Sequence, residues 1–485
     1  MIMADGKSKV LKNYTLNMLY EVFLLIIPIF VTPYVARVLG EDGSGQYSFT
    51  FSVNSFFVLF AALGFNYYAQ RLVASHQGKK KQQSIDFWEV FIVRLIPCSI
   101  TLFVYLVSIL SGLYGDKYSQ LMLILTFNII AVIFDINFFF QGNEDFAKIV
   151  FRSIIIKTLS IVCIFTFVKH SGDLWIYTLI QSLTLLLSNL AIWVYMPRYL
   201  LKISFADIHP LKHLKPTMVL FIPTLALSVY TLLDRTLIGL ITHDDAENGN
   251  YEYAEKLVKM ILTVLTSLGT VLSPRNAKRF AEGDVEGVEK NIYHTSRFVM
   301  FLGVPLMFGT IAISDNLIPW YLGAGYDKAA MLMKLLAPLV IIIGLSNVFG
   351  RQFLIPSNQD KKFTIAIVCG ALTNLILNII LISILKSYGA AIATVIAETT
   401  VTCVMLYYIR DSIHFTQIIK TSWKYWVIGF AMFLVCYLLS HYLSPSIIHT
   451  AGIAIVGMFI YLLGIFIIKD DFLNDVKLLL RRRGK

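Results

Sequence analysis

The chain has 485 residues, of which 57% are hydrophobic and 15% charged, and its formal net charge is +11. A soluble protein of this size has nearer a quarter of its residues charged, so the composition excludes an ordinary soluble enzyme or binding domain. The apolar residues lie in blocks of about 20, the length that crosses a bilayer. Because the basic residues lie between these blocks, we predict an all-α polytopic membrane protein and no nucleic-acid partner.

Apolar runs between polar breaks predict about 14 membrane-spanning helices. The first six lie near residues 13–36, 46–67, 87–111, 119–140, 149–168 and 174–196. The next six lie near 217–241, 253–273, 292–314, 329–350, 363–385 and 389–409, and two more lie near 423–441 and 449–468. This order predicts a helix 1–6 lobe in residues 1–205 and a helix 7–12 lobe in 206–415. Residues 416–485 then hold helices 13 and 14 and a basic cytoplasmic tail.

Lysine and arginine concentrate in every second loop. The basic residues after the second, fourth and sixth predicted helices are Arg71, Lys79, Lys80, Lys81, Lys148, Arg152, Arg198, Lys202, Lys212 and Lys215. The intervening loops of the chain hold little beyond Lys117, Lys169, Lys328 and Lys386. Since cytoplasmic loops carry the positive excess, both termini are expected in the cytoplasm.

Two acidic segments recur about half a chain apart, at Thr32–Phe57 and Leu232–Lys259. In the first, Gly43 and Gly45 are expected to let the chain reverse tightly, because glycine adopts positive φ freely. A second repeat pairs Phe138–Leu159 with Phe353–Asn374, each containing a short polar turn that ends the fourth predicted helix of its half. Such repetition predicts a duplicated architecture, with two pseudo-symmetric lobes facing each other across a cavity.

Several charged residues are candidates for binding a substrate. Lys157 and Glu398 lie near the middle of the fifth and twelfth predicted helices, where an ionisable group costs several kcal/mol unless it faces water or a partner. Arginine suits phosphate or pyrophosphate oxygens and stays charged when desolvated. The candidate residues are Arg37, Arg71, Lys157, Asp234, Arg235, Lys256, Lys259 and Glu398.

Each candidate also has a structural alternative. Lys157 and Glu398 could pair with neighbours, and the arginines could anchor the interface, with Asp234 satisfied nearby. Lys256 and Lys259 follow Glu252 and Glu255 at i,i+4 spacing, so surface pairing also explains them.

Prolines interrupt the first helix of both predicted lobes. Pro28, Pro33 and Pro223 are therefore predicted to take part in gating, although an ordinary kink remains the alternative. The sequence has no metal-ligand spacing, no phosphate-binding glycine loop and no arguable nucleophile–base set. We therefore expect a transporter and not an enzyme, with no cofactor and with a coupling ion, H⁺ or Na⁺, left open.

Five stretches carry a resemblance to a known family: VARVLGEDGSGQYSF, YYAQRLVA, FFFQGNEDFAKIVFRS, LIPSNQDKKFTIAIVCGALTNLILNIILI and YGAAIATVIAE. They resemble the polysaccharide (Wzx-like, O-antigen and capsule repeat-unit) flippases of the multidrug/oligosaccharidyl-lipid/polysaccharide exporter superfamily. The resemblance implies 14 helices, alternating access and transfer of undecaprenyl-pyrophosphate-linked oligosaccharide from the cytoplasmic to the outer leaflet for surface polysaccharide biosynthesis. It places headgroup binding on Arg37, Arg71 and Arg235.

The same resemblance implies a monomer in the cytoplasmic membrane of a bacterium, with membrane lipids, a polysaccharide polymerase and glycosyltransferases as partners. Two alternatives are a lipid II flippase and a cation-coupled multidrug exporter of the same superfamily. A multidrug exporter would need an acidic site for its cation. The excess of basic residues at membrane depth argues against that interpretation. A membrane glycosyl polymerase would need a long outer loop, and a structural scaffold does not explain charges at membrane depth.

Overall fold

The computed structural model describes the backbone of residues 2–470 and the side chains of residues 20–470 except 205, 220, 222–224, 226–231, 264 and 267–271. Within residues 2–470 all regular secondary structure is helical, which confirms the predicted class. The chain forms two compact units, the first ending at Gly249 and the second beginning at Asn250. The finer bounds 1–205, 206–415 and 416–485 stay a prediction.

The helices of the first unit are α1 (Ile2–Ala62), α2 (Phe65–Ser75), α3 (Lys80–Leu110), α4 (Asp116–Ile133), α5 (Asn137–Gly142), α6 (Phe146–Phe167), α7 (Leu174–Ala191) and α8 (Leu214–Thr242). Its short 3-10 helices are Ser171–Asp173, Ile192–Arg198, Phe205–Asp207 and Pro210–His213. Helix α9 (Asp245–Ala281) begins in the first unit and continues into the second.

The remaining helices of the second unit are α10 (Val285–Tyr321), α11 (Asp327–Leu336), α12 (Leu339–Phe349), α13 (Asp360–Leu385), α14 (Ser387–Ile409), α15 (Phe415–Tyr442) and α16 (Ile447–Ile467). A π-helix, Gly350–Leu354, follows α12. One continuous apolar cluster joins α10, α12, α14, α15 and α16. The core of the first unit is divided among smaller clusters, one of them rich in phenylalanine and tryptophan.

In the described part of the chain, 11 helical segments are long and apolar enough to cross a membrane, so the protein is a multi-pass membrane protein. The first of them, Tyr20–Ser75, has 56 residues. At about 1.5 Å per residue it exceeds twice the ~30 Å hydrocarbon core, which is length for two crossings. Helices α8 and α9 include side chains outside the described residues. The count of 14 crossings therefore stays a prediction.

The second repeated segment folds into the same turn in each unit. The Asp145 amide donates to the Phe140 carbonyl over 2.8 Å, and the Gln359 amide donates to the Leu354 carbonyl over 2.9 Å. This bond from the sixth residue back to the first is the one that closes a helix C-terminus before the chain turns. Identical hydrogen bonding in the two units supports the predicted duplication.

A left-handed residue completes each of these turns. It is Glu144, with φ of 56°, in the first unit and Asn358, with φ of 58°, in the second. The pairing of Phe138–Leu159 with Phe353–Asn374 puts Asn143 opposite Asn358, so the structural register differs from the sequence register by one residue. Asparagine tolerates this region of φ, whereas Glu144 occupies it because the turn hydrogen bonds fix its backbone.

The first repeated segment breaks at a single residue in each copy. Helix α1 breaks at Gly40, where φ is 69°, and α8 ends before His243, where φ is 50°. Gly43, Gly45 and Gly249 lie inside helical backbone. The expectation that Gly43 and Gly45 make the reversal was therefore wrong, because the helix resumes directly after Gly40.

Candidate functional site

The two acidic repeated segments cross each other at glycines. A Cβ on Gly45 would collide with the Asp245 carbonyl oxygen, and a Cβ on Gly249 would collide with the Glu41 carbonyl oxygen. Glu41 and Gly45 are one helical turn apart, as are Asp245 and Gly249, so the contact is reciprocal. Helix backbones approach this closely only where side chains are absent, which explains the glycines. We call this contact the glycine crossing.

Hydrogen bonds between small polar side chains surround the glycine crossing. Ser48 Oγ donates to Asn248 Oδ1 over 3.3 Å, and Asn248 Nδ2 donates to the Arg235 carbonyl over 2.7 Å. Further along the same helices, Ser52 Oγ and Thr236 Oγ1 are 2.9 Å apart. These bonds join the second half of α1 to α8 and α9. Apolar packing accompanies them, since the Phe49 ring of α1 lies against Gly239 of α8.

Asp245 links the glycine crossing to α4. Its buried carboxylate accepts a 2.7 Å hydrogen bond from the Tyr118 hydroxyl and forms an ion pair with Lys117. Lys117 is one of the few basic residues of the loops predicted to face outward. The ion pair gives this lysine a structural role.

Lys157 lies on the buried face of α6. Ser153, Ser160 and Ile164 are buried at helical spacing around it, and Lys157 itself is half-buried. It lies about 16 Å along the helix from Phe146 at ~1.5 Å per residue. Among the described residues, its ammonium makes no hydrogen bond or ion pair. A cation in this position is stabilised by contact with water or by a partner of negative charge.

The arginine candidates of the first unit lie in different places. Arg37 is exposed on α1, one turn before the break at Gly40, and Arg235 is half-buried at the glycine crossing. Asp234 beside it is buried in α8. Arg71 is exposed near the end of α2, away from the crossing. Arg37 and Arg235 thus belong to the repeated segments, whereas Arg71 lies outside both.

Three candidates lie in the second unit. Lys259 forms a 2.6 Å ion pair with buried Glu255 one turn earlier, so the pairing that its spacing suggested is present. Lys256 lies 5.8 Å from the Tyr253 ring centroid. Glu398 is half-buried on α14, one turn after a threonine.

A hydrogen bond joins the helices that carry these candidates. Tyr251 OH on α9 and Thr394 Oγ1 on α14 are 3.2 Å apart and buried. Glu255 and Glu398 each follow one of these residues by one turn, so they lie on the helix faces that carry this contact. The second unit therefore brings α9 and α14 together at the predicted residues.

Helix α1 remains helical through Pro28 and Pro33, and its backbone breaks instead at Gly40. Pro223 lies within α8, but its side chain is outside the described residues. Gating by the three prolines stays a prediction.

The first unit also contains a buried ionic cluster that was not predicted from the sequence. Glu89 of α3 is fully buried and accepts from His213 Nε2 over 2.8 Å, Lys212 Nζ over 2.9 Å and the His209 amide over 2.7 Å. His213 Nδ1 in turn lies 2.6 Å from the Tyr68 hydroxyl. We call this set the Glu89 cluster. The available signal was an acidic residue inside a predicted span and a histidine- and lysine-rich linker about 120 residues later.

A second polar cluster joins α6 to the segment after α7. Lys148 Nζ lies 2.5 Å from Asp145 Oδ2, and the Tyr199 hydroxyl donates to the same oxygen over 2.5 Å. Burial, and then the Asp145 carboxylate, raises the pKa of Tyr199. The repeated turn before α6 is therefore held by side chains as well as by its backbone.

Two units with the same hydrogen-bonded turn, built from apolar helices with charged residues inside them, define a multi-pass helical membrane protein of the internally repeated transporter class. The family described as "Polysaccharide biosynthesis protein" matches residues 10–280. That is more than half of the 485 residues, and the chain belongs to this family. The family described as "MatE" matches residues 220–380.

Relatives of known description are transporters and flippases. One named "Putative O-antigen transporter", from Escherichia coli (strain K12), is 26% identical over 396 residues, covering 80% of this chain and 93% of that relative. One named "Probable low-salt glycan biosynthesis flippase Agl15", from Haloferax volcanii, is 25% identical over 182 residues, covering 38% of each chain.

The fold also matches a solved structure, "Lipid II flippase MurJ, inward closed conformation". The TM-score is 0.65 at 16% identity, covering 92% of this chain and 100% of that chain. At this identity the likeness shows the fold, which agrees with the superfamily that the sequence resembles.

Proposed function

We propose that this protein is a flippase that moves undecaprenyl-pyrophosphate-linked oligosaccharide repeat units from the cytoplasmic to the outer leaflet for surface polysaccharide biosynthesis. Support comes from its family and from the transport of O-antigen and the flipping of glycan precursors named for its relatives. The protein performs no covalent chemistry in this proposal, since the work is to carry a charged, hydrated headgroup through the bilayer.

The main structural support for the proposal is the position of Lys157. It is half-buried about halfway along α6, and no described residue supplies a hydrogen bond or ion pair to its ammonium. A pyrophosphate would supply the missing negative charge, and lysine binds phosphate as a point charge without fixed geometry. A cargo that enters and leaves needs a lysine that is available to it. A permanent ion pair between Lys157 and a carboxylate of the protein would compete with the pyrophosphate.

In the proposed cycle the glycine crossing closes one end of the path and separates when the cargo is released. Arg37 and Arg235 contact the headgroup near the crossing, Arg71 acts at the other end of the second span, and Lys256, Lys259, Glu398 and Asp234 contribute within their own units. Pro28, Pro33 and Pro223 allow the helices to bend. We place the protein as a monomer in the cytoplasmic membrane, both termini inside, with glycosyltransferases supplying the cargo and a polymerase consuming it.

Reconstitution tests this proposal. Proteoliposomes would contain a fluorescent lipid-linked oligosaccharide, and a membrane-impermeant quencher would report the fraction that has crossed. Wild-type protein should flip it, whereas Arg37→Ala and Arg235→Ala should slow transfer. Normal transfer by both variants removes them from the site, and no transfer by wild type removes the function. In cells, deletion should leave lipid-linked repeat units on the inner leaflet, and their sugar identifies the cargo.

A second candidate is a lipid II flippase, favoured by the fold match over 92% of the chain, and the MatE match to residues 220–380 raises multidrug export as a third. The same proteoliposomes separate the three. Unlabelled lipid-linked oligosaccharide, lipid II and a cationic drug are added in turn as competitors, and the true cargo class should compete at the lowest concentration.

A further inference from the structure

Two clefts follow each other along helix α3 of the first unit. The first, of about 680 Å³, is lined by Lys79, Lys80, Lys81, Ile85, Asp207 and His209, among others. The second, also of about 680 Å³, is mostly apolar and is lined by Trp88, Phe91, Ile92, Trp193, Leu201 and Ile208, with Lys202 among its other lining residues. We call them the lysine cleft and the aromatic cleft. Both clefts are open to the surface of the unit.

The two clefts share one stripe of α3. Lys81, Ile85, Trp88 and Ile92 recur at spacings of four, three and four residues, so they point to one side of the helix. From Lys81 to Ile92 the stripe rises about 16 Å at ~1.5 Å per residue. That distance exceeds the headgroup layer, which is roughly 5–8 Å thick on each side of the bilayer. With Lys79–Lys81 at the membrane surface and α3 crossing the bilayer, as the charge pattern predicts, the stripe leads from cations at that surface to aromatic side chains at hydrocarbon depth.

The opposite wall of both clefts is the linker between the sixth and seventh predicted spans, and it is fixed at two points. The Leu201 amide donates to Ser84 Oγ over 2.9 Å. At the other end, the Glu89 carboxylate accepts hydrogen bonds from His209, Lys212 and His213. The stretch between these anchors supplies Ile208 to the aromatic cleft and Asp207 to the lysine cleft. The clefts are therefore built into the unit and do not depend on a loose loop.

Charge and shape specify the occupant. Lys79, Lys80 and Lys81 are exposed, and the acidic residue that lines the lysine cleft, Asp207, reaches Lys81 only at 4.0 Å. The cleft keeps a net positive charge that suits phosphate oxygens. In the aromatic cleft, the rings of Phe91 and Trp193 pack edge to face with their centroids 5.1 Å apart, and both side chains remain partly exposed to an apolar chain. Each methylene buried there contributes about 0.8 kcal/mol.

We infer that the two clefts form a capture site for the isoprenyl diphosphate end of the cargo lipid on the cytoplasmic side, before the headgroup enters the path. The diphosphate lies among the three lysines, and the first isoprene units lie against Trp88, Phe91 and Trp193. This inference rests on the proposed function, because it names where that function first meets its cargo.

Photolabelling of the full chain tests the site. The protein is placed in phosphatidylcholine nanodiscs with a diazirine-bearing C15 isoprenyl diphosphate, irradiated and digested. We expect labelled peptides from residues 85–92 and 193–208. Joint replacement Lys79→Gln, Lys80→Gln and Lys81→Gln should lower the labelling about tenfold or more, because each cation near a membrane surface adds attraction for an anionic lipid. Leu201→Glu, which places a negative charge in the aromatic cleft, should lower it as well.

A matched control removes the same charge elsewhere. Lys290→Gln, Lys361→Gln and Lys420→Gln change three exposed lysines of the second unit and should leave the labelling intact. Labelling outside both clefts, or an equal loss in the control, overturns the inference. So does displacement of the probe by phosphatidylglycerol as readily as by unlabelled isoprenyl diphosphate, since the clefts would then hold ordinary anionic lipid.

The transport assay keeps the two proposals apart. If wild type binds the probe in the clefts but does not flip lipid-linked oligosaccharide, the lipid site stands and the flippase function falls. If wild type flips the oligosaccharide but labels elsewhere, the function stands and the capture site falls.

Discussion

Lys157 is a charged residue on a buried helix face that has no described partner of opposite charge. Its side chain lies on the buried face of α6, and no described residue neutralises it. We expect Lys157→Met to slow oligosaccharide transfer by about tenfold or more, because one lost charge-assisted contact is worth about 1.5–3 kcal/mol. The thermal midpoint in detergent should stay equal or rise, since an uncompensated charge has been removed.

Two further variants separate charge from shape at this position. Lys157→Arg keeps the charge and should retain most of the transfer, whereas Lys361→Met, at an exposed lysine of the second unit, should change neither measurement. Normal transfer by Lys157→Met, or a clear fall in its thermal midpoint, would assign Lys157 to packing instead.

Glu89 presents the opposite case, a buried charge with several partners. Replacing it with glutamine keeps the shape but weakens the bonds from His213 and Lys212, so Glu89→Gln should destabilise the first unit by about 2 kcal/mol. The measurement is thermal unfolding of the purified full chain. Glu286→Gln, at an exposed residue of α10, is the control. An unchanged midpoint in Glu89→Gln would show that the linker is held by other contacts.

At the scale of helices, the glycine crossing depends on missing side chains. Gly45→Val and Gly249→Val should push the crossing segments apart, because an added Cβ collides with backbone atoms that are unable to rotate away. The separation is measured by disulfide crosslinking between Ser52→Cys and Thr236→Cys. The hydroxyl oxygens of the native Ser52 and Thr236 lie 2.9 Å apart. The five native cysteines are first replaced by alanine. Crosslinking should be efficient in the parent and low in either valine variant.

Gly309→Val is the matched control for these substitutions. Gly309 also lies within a helix, but a Cβ there meets no atom within 4 Å, so crosslinking should remain at the parental level. If Gly45→Val crosslinks as well as the parent, the crossing tolerates a side chain and the close approach has no part in closure.

The helices show which structural features could be predicted from the sequence. Hydropathy located the apolar helices, and i,i+4 spacing predicted the Lys259–Glu255 pair, because both signals are local. The glycines were found but misinterpreted: sequence does not distinguish positive φ at Gly40 from close backbone approach at Gly45. The Glu89 cluster was missed because its members lie about 120 residues apart and meet only when the linker folds back on α3.

For the whole chain, the two units share a backbone hydrogen-bonding pattern even though few residues are identical between them. The bonds from Asp145 to Phe140 and from Gln359 to Leu354 are equivalent, although the residues that make them differ. A backbone hydrogen bond is kept when the residue type changes, because every residue except proline has the same N–H and C=O groups. A contact made by a charged side chain is lost when that side chain is replaced. A duplicated fold with unlike charges in its halves suits an asymmetric cargo, which has a sugar head, a diphosphate and a lipid tail.

Orientation is the last property that the charge pattern predicts for the whole molecule. The segment that leads into the first turn of α3 carries Lys79–Lys81, and the segment after α3, Ser111–Gly115, carries no basic residue. Because cytoplasmic loops hold the positive excess, the first segment should lie inside and the second outside. In the cysteine-free background, Ser111→Cys should react with a membrane-impermeant maleimide in intact cells, and Gln77→Cys should react only after permeabilisation. Both positions are exposed, so a difference in labelling reports sidedness; the reverse pattern would invert the topology and with it the direction assigned to transport.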